Sequence, residues 1–509
     1  MAITRYTASA DNTITNAFEA NLLTRGSGSN MGFADSLEVF SIYGQDSGSN
    51  GQSAELSRIL IQFPVDSINA DRSAGIIPAS GSVSFYLKMF NAEHPFTLPQ
   101  DFNLVVAPIS QSWNEGTGLD MDNYQDLGFS NWGSASSTAG WTNIGGDYLS
   151  SDNYNVRFQQ GYEDMEVDVT TVVENWITGE EGGKYNNYGF GIRLTASQEA
   201  YFSSSLGTTS GSVLQNINGA KESYYTKKFF ARSTEFFFKR PVLEARYDSR
   251  VTDDRENFYY SSSRAEAPFN LNNLYVYNYV RGRLRNLPNV GTNDMLVSFY
   301  SSSFGTPTGS KLAISLGGTT AADGDLNTTA SFVSTGIYSC SVALTAASTA
   351  LQEIHDVWHS GGVEYFTGSF YPETLRDYDS APTFNRITSC KNLKKVYSKQ
   401  DKARFRFFVR DKDWSPTLYT VATANNPTEI IESASFSIHR VIDNTSAVPY
   451  GTGSDFSTYL SYDKEGNYFD LDMSLLETDY MYEIRLAYYN DSIGDWQEQP
   501  QTFKFRVEE

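Results

Sequence analysis

Apolar residues fall at every second position from Ser57 to Val65, where Ile59, Ile61, Phe63 and Val65 share one face. The pattern repeats from Ser82 to Phe90, where Val83, Phe85, Leu87 and Met89 alternate with Ser84, Tyr86, Lys88 and Phe90. A period of two marks a strand buried on one side, and two such strands need a second sheet to cover them. The same alternation returns at Phe102-Leu104-Val106, Phe190-Ile192-Leu194 and Leu243-Ala245-Tyr247. One segment has the helical period instead. Val169, Val172, Val173, Trp176 and Ile177 stand at i, i+3, i+4, i+7 and i+8, with Thr171 three residues before Glu174 as a capping box and Gly179 as a stop. This predicts a short helix closing one end of a sandwich. Residues 114 to 161 are rich in Gly, Ser, Asn and Asp and have no period, which predicts a long excursion held by Trp132 and Trp141.

Beyond residue 250 the strands become shorter. Val297 with Phe299, Leu312 with Ile314 and Leu316, and Tyr338 to Leu344 are separated by turn runs such as Gly317-Gly318 and Asp323-Gly324-Asp325. A third group holds Phe405-Phe407-Val409, Phe436-Ile438, Tyr482-Ile484-Leu486-Tyr488 and Phe503-Phe505-Val507. The expectation is an all-β chain: a jelly-roll-like β-sandwich over residues 1–250, followed by two smaller immunoglobulin-like β-sandwiches over 251–383 and 384–509. A length of 509 residues, at roughly 150 per domain, agrees with three. No period of 20 to 50 residues and no heptad pattern is present.

Composition narrows the function. With 38 Lys and Arg against 60 Asp and Glu the net charge is −22, which argues against nucleic acid as a partner. Only Cys340 and Cys390 occur, too few for a disulfide framework, and the alternation of Ile337 to Leu344 puts Cys340 on the inward face. Both cysteines read as structural. The N-terminus Met1-Ala2-Ile3-Thr4-Arg5-Tyr6 has no basic and apolar leader pattern, and no stretch reaches the ~18 apolar residues of a membrane span. The expectation is a protein made in the cytoplasm without membrane insertion, and deployed outside by assembly into a particle.

Five short motifs occur in order: Ser57 to Phe63, Trp113-Asn114-Glu115-Gly116, Val167-Asp168-Val169-Thr170 with Trp176, Tyr188-Gly189-Phe190, and Arg240-Pro241-Val242-Leu243. Together they resemble the DNRLRE (disaggregatase-related) domain, with its RxLLxF strand, W-x-E-G turn, VDVT…W step, yGf strand and RPxL closing strand. That resemblance implies a jelly-roll sandwich on extracellular and surface proteins, often associated with polysaccharide. Gln62, the 114–161 insertion, Lys227-Lys228-Phe229-Phe230, and Val409 to Pro416 make most of the chain similar to virion structural proteins of marine tailed bacteriophages. This second resemblance implies a virion location, with other virion proteins and copies of the chain itself as partners. It carries over no catalytic residue.

Four places carry residue types with candidate chemistry. His355 and His359 stand at i and i+4, but Asp356 occupies the position where a zinc protease places its general-base Glu, so no metal is expected. Trp113, Glu115, Asp120 and Asp122 contain the residue types of a glycosidase site, yet acids are abundant in this chain. The better functional reading there is a sugar-binding loop, with Trp113, Trp132 and Trp141 as stacking faces for a host-surface glycan. Asp463 to Asn467 has Gly at the fourth position rather than the sixth and reads as a turn, not a calcium loop. Residues 386–412 carry ten basic residues, Arg386, Lys391, Lys394, Lys395, Lys399, Lys402, Arg404, Arg406, Arg410 and Lys412, against Asp401 and Asp411. Of these, Lys391, Lys394, Lys395, Lys399, Lys402, Arg404 and Arg406 are the candidates for docking an acidic protein partner; the bland alternative is a solvated strand face. No catalytic residue and no cofactor is assigned. The sequence reading is therefore a non-enzymatic structural protein of a tailed-phage virion, in the tail, neck, a fibre or its attachment, or a capsid decoration, with an extracellular carbohydrate-binding surface module as the alternative.

Overall fold

The structure is a computed structural model. It describes residues 2–44, 53–94, 99–179, 184–203, 213–301, 307, 311–312, 314–316, 319–320, 327–344, 353–373, 386–412, 428–451, 457–490 and 494–509. The turn runs at 317–318 and 323–325, the expected boundary at 383/384 and the stretch 413–416 lie outside these residues. The chain is all-β apart from two α-helices among the described residues and a few single 3-10 turns. It separates into two compact units, Ile3–Tyr247 and Asp248–Glu509.

The first unit is built from β1 (Ala2–Thr7), β2 (Ala10–Thr15), β3 (Ser36–Gly44), β4 (Ser53–Gln62), β5 (Val83–Met89), β6 (Phe102–Pro108), β7 (Tyr154–Phe158), β8 (Met165–Asp168), β9 (Phe190–Leu194), β10 (Tyr224–Phe230) and β11 (Val242–Tyr247). One sheet has the order β1-β11-β5-β8. The other runs β10-β3-β4-β9-β6-β7, with β2 also paired to β4. The inward residues of both sheets make one core, in which Val83, Phe85, Leu87, Met89, Leu243 and Ala245 meet Ile59, Ile61, Leu104, Val106 and Ile192. A sandwich follows from the period-two pattern because each sheet has a single apolar face to hide.

Two local expectations are corrected. The strand that contains Ile59 and Ile61 ends at Gln62, and Val65 opens helix α1 (Val65–Ser73) rather than continuing it. Pro64 has no N–H for a ladder bond, and its fixed φ suits a helix start. Val65 remains buried in the same core. Helix α2 (Thr170–Thr178) forms where expected, but Thr171 and Glu174 make no capping box. Asp168 accepts from Thr170 N at 2.9 Å instead, and Glu174 takes both Arg72 Nη atoms of α1 at 2.9 and 2.6 Å. Gly179 ends α2 at φ +67°, as a residue without a Cβ can.

β11 lies inside its sheet, between β1 and β5. A fragment ending at residue 235 would lose an interior strand and expose two edges. It is expected to aggregate, whereas a fragment ending after Tyr247 should melt cooperatively. A soluble, cooperatively melting 1–235 fragment would contradict this.

In the second unit an eight-stranded sheet gathers Leu274, Val276, Val297, Phe299, Tyr338, Cys340, Ile354 and Trp358 into one core. Two further sheets face each other across aromatic rings: Phe405 lies 5.4 Å from Phe505, and Phe436 stacks on Phe469 at 3.8 Å. Thr252 bridges to Tyr462, whose hydroxyl donates to Asp254 at 2.8 Å, so the two groups of sheets are hydrogen-bonded within this unit. Cys340 is buried, Cys390 is half-buried, and burial pushes both thiols up.

Candidate functional site

The outer face of the larger sheet in the first unit carries the most developed polar constellation. Alternation in β4 sends Ile59 and Ile61 into the sandwich and Arg58 and Leu60 the other way. In β9 it sends Phe190, Ile192 and Leu194 inward and leaves Gly191 and Arg193 outside. The excursion after β6 folds over this outer face. Trp113, Trp132 and Trp141 join Ile14, Leu56, Leu60 and Ile109 in a second core. Trp132 is 0% exposed, Trp113 Nε1 donates to Tyr188 O and Trp141 Nε1 to Asn131 O, each at 2.8 Å. These three rings hold the excursion to the sheet, and their faces are packed, so they offer no platform for a sugar. The stacking role expected for them is corrected on that ground.

At the rim of this second core Arg58 is buried and donates from all three of its nitrogens. Its Nε and Nη2 donate to the two Glu199 oxygens at 2.9 and 2.8 Å, and Nη1 donates to Gly145 O at 2.9 Å. Its guanidinium carbon lies 5.3 Å from the Trp132 ring and 5.7 Å from the Tyr148 ring. Burial opposes the charge on Arg58, while Glu199 and Tyr148 more than restore it, so its pKa lies above the ordinary value. Arg193 also stands against Tyr148, with its guanidinium carbon 5.5 Å from the ring. Burial, then the charge of Arg58, pushes Arg193 below its ordinary pKa. Two glycines make this stack possible. A Cβ on Gly145, at φ +85°, would lie 2.9 Å from both Arg58 Nη1 and Trp132, and a Cβ on Gly191 would overlap the Tyr148 ring. The stack opens on a cleft of about 440 Å³ lined by Arg58, Tyr148, Arg193, Glu199, Asn143 and Asn153 among others. Arg58 was visible in the sequence only as part of a strand motif, and Arg193, Tyr148 and Glu199 carried no signal at all.

The acids considered for glycoside hydrolysis are occupied. Glu115 takes Arg232 Nε and Nη2 at 3.1 and 2.7 Å and the Asp11 N–H at 2.8 Å, while Asp120 Oδ1 accepts the backbone N–H groups of Asp122, Asn123 and Tyr124. Asp122 accepts from Ala20 N at 3.4 Å. Asp11, buried beside Glu115, is pushed up to about 7 by burial, against the opposing Arg232 N–H and with the help of the Glu115 charge. A carboxyl whose folded pKa exceeds its unfolded value favours the folded state when protonated, so its stabilising effect is lost as pH rises from about 4 to about 7. Urea denaturation at pH 5 and pH 7 should show Asp11→Asn reducing the fall in stability by roughly 1 kcal/mol per pH unit relative to the parent. Equal slopes for the two proteins would contradict the assignment.

His355 and His359 lie on one strand, Ile354–Ser360, not on a helix. His355 Nδ1 faces Gly368 O at 3.2 Å and His359 Nε2 faces Ser298 Oγ at 2.8 Å. No group of three metal-ligating side chains occurs among the described residues. Asp463 to Asn467 is a hairpin turn, and Asp463 takes both Arg406 Nη atoms at 2.5 and 2.9 Å.

That contact bears on the basic segment. Arg404 donates Nε and Nη2 to Asp470 at 2.8 and 2.9 Å, Arg386 pairs with Glu429 at 2.5 Å, Lys402 stands 3.5 Å from Asp472, and Arg406 is also 3.6 Å from Glu465. Arg386, Lys402, Arg404 and Arg406 thus each stand beside an acid of the same unit, Lys402 with its side chain 82% exposed. Lys391, Lys394 and Lys395 are exposed, Lys391 over the Phe408 ring at 5.0 Å and Lys394 over Tyr397 at 5.8 Å; Lys399 is half-buried. Reversing Lys391, Lys394 and Lys395 to Glu should leave the Tm unchanged within about 1 °C. Arg404→Glu, which sets a second carboxylate against Asp470, should cost on the order of 1 kcal/mol. A larger loss in the lysine triple than in Arg404→Glu would contradict this division.

No helix among the described residues is long and apolar enough to cross a membrane. No family model matches the chain, and no curated protein matches it. Among solved structures, the N-terminal Ig1-2 module of the Drosophila receptor protein tyrosine phosphatase DLAR is similar at 8% identity and a TM-score of 0.13, covering 47% of this chain and 91% of that one. Trypsin-activated alpha-2-macroglobulin from Escherichia coli is similar at 10% identity and a TM-score of 0.14, covering 84% of this chain and 30% of that one. At these scores neither likeness carries a functional argument.

Proposed function

We propose that this chain is a non-enzymatic building block of a tailed-phage virion, assembling through the surfaces of its β-sandwiches with other virion proteins and with copies of itself. The observation that carries the reading is a lobe made by two loops, residues 18–33 and 114–129. They are joined by hydrogen bonds from Phe33 N to Gly118 O, Ser29 Oγ to Met121 O and Asn30 Nδ2 to Glu115 O. This ordered lobe carries Leu22, Leu23, Phe33, Leu119, Tyr124, Leu127 and Phe129, all exposed, with Leu23 at 87% and Leu127 at 65%. Monomeric proteins rarely hold so many large apolar side chains in water on a well-bonded surface, and such surfaces mark sites of protein association. The acids and arginines, by contrast, are spent on internal pairs such as Arg58–Glu199, Arg255–Asp356 and Arg406–Asp463, which supports a scaffold rather than a reactive site. The carbohydrate-binding alternative loses its proposed tryptophan platform to the second core.

The lobe is the place to test. Replacing Leu22, Leu23 and Leu127 by Ser should leave the Tm within about 1 °C of the parent, because these side chains are in water already. It should reduce incorporation into particles at least tenfold. Normal incorporation of the variant would remove the lobe as the assembly surface.

A further inference from the structure

We propose that the cleft beside Tyr148 is a binding site for a hydroxylated carboxylate of the uronate class, with the Arg193 guanidinium as its carboxylate fork. This does not rest on the virion reading, and its test is separate. The first ground is charge. Arg58 and Glu199 saturate each other in two parallel hydrogen bonds and contribute no net charge to the cleft. Arg193 sits one residue beyond the sandwich core in β9, and among the described residues no acceptor takes a hydrogen bond from it; its Nε is buried without any partner. A buried donor left unsatisfied is costly to the fold. In a chain of net charge −22, two arginines that share the single carboxylate of Glu199 are a feature to be explained.

The second ground is geometry. Gly191 lets the Tyr148 ring lie against β9, and the ring, pinned by its hydroxyl to Gly145 O at 2.7 Å, has both guanidinium groups within 6 Å of its centre. Arg193 is thereby placed before a ligand arrives. A planar fork meets a carboxylate in two parallel bonds. Arg58, Arg193 and Glu199 together sum to one positive charge, which matches one negative charge and favours a carboxylate over a phosphate dianion.

The third ground is the rest of the wall. Asn143 Nδ2 donates to Asp147, Asn153 Nδ2 to Ser150 O, and Asn216 Nδ2 to Ala196 O and Glu199 O. Each amide nitrogen is held within the protein, and all three residues line the cleft. Amide oxygens accept from hydroxyl groups. The volume of about 440 Å³ lies within the range of small-ligand sites and accommodates one or two sugar rings.

The test uses the full chain, with digalacturonate, neutral galactobiose and inorganic phosphate as probes, in saturation-transfer NMR and calorimetry at low salt. Digalacturonate should bind, with galactobiose and phosphate at least tenfold weaker. Arg193→Gln should weaken digalacturonate at least tenfold with the Tm unchanged. Asn153→Ala, at an exposed position, should weaken it severalfold and keeps the test valid should the Arg193 variant fold poorly. The proposal is overturned if digalacturonate does not bind at 10 mM, if either competitor binds equally well, or if Arg193→Gln and Asn153→Ala both bind as the parent does.

Discussion

Replacing Glu199 by alanine is expected to destabilise the unit Ile3–Tyr247 by about 3–5 kcal/mol, the cost of leaving one partner of a buried ion pair uncompensated. Arg58 would keep the Gly145 carbonyl but lose its carboxylate while still enclosed by Trp132 and Tyr148. For a unit of this size the loss corresponds to a Tm lower by roughly 10 °C. The double variant Arg58→Met with Glu199→Leu should recover most of it, because apolar side chains of similar volume often replace a buried pair at little cost. Differential scanning calorimetry of the parent, the single and the double variant decides the matter. A loss under 1 kcal/mol in Glu199→Ala would mean that water reaches the pair.

Trp132→Ala should cost about 3–5 kcal/mol as well, for a different reason: it removes a fully buried tryptophan side chain and leaves a cavity that the surrounding loops fill only in part. The core that Trp132 serves lies on the outer face of the sheet and is separate from the core between the sheets. The damage should therefore appear first in the excursion. Limited proteolysis of the variant is expected to cut between residues 114 and 148 while the sandwich strands remain protected. First cleavage within the strands would show that the two cores fail together.

The strands were legible because their alternation is local. Ile59, Ile61, Phe85, Leu87 and Ile192 each announce a buried face within a few residues of sequence, and the all-β class follows from them. Where a local signal competed with a backbone constraint, the constraint won: Pro64 turned Val65 into a helix start, and Asp168 took the capping role expected of Thr171. The candidate cleft was opaque for a different reason. Arg58 and Glu199 are 141 residues apart, and nothing in either neighbourhood signals the other. Arg58 falls on the polar side of its strand, which alternation assigns to solvent; the excursion that buries it has no period from which its path can be read. The same holds for Arg404 and Arg406. Their alternation with Phe405 and Phe407 was plain, but the acids that neutralise them, Asp470 and Asp463, sit more than fifty residues on.

The proposed assembly role is tested most directly by a quantitative mass-spectrometric inventory of purified phage particles. It should find this chain at a fixed stoichiometry to the major capsid protein, in a ratio set by the symmetry of its place in the particle and unchanged through repeated density-gradient purification. Its absence from such particles, or a copy number that falls with each purification step, would contradict the account.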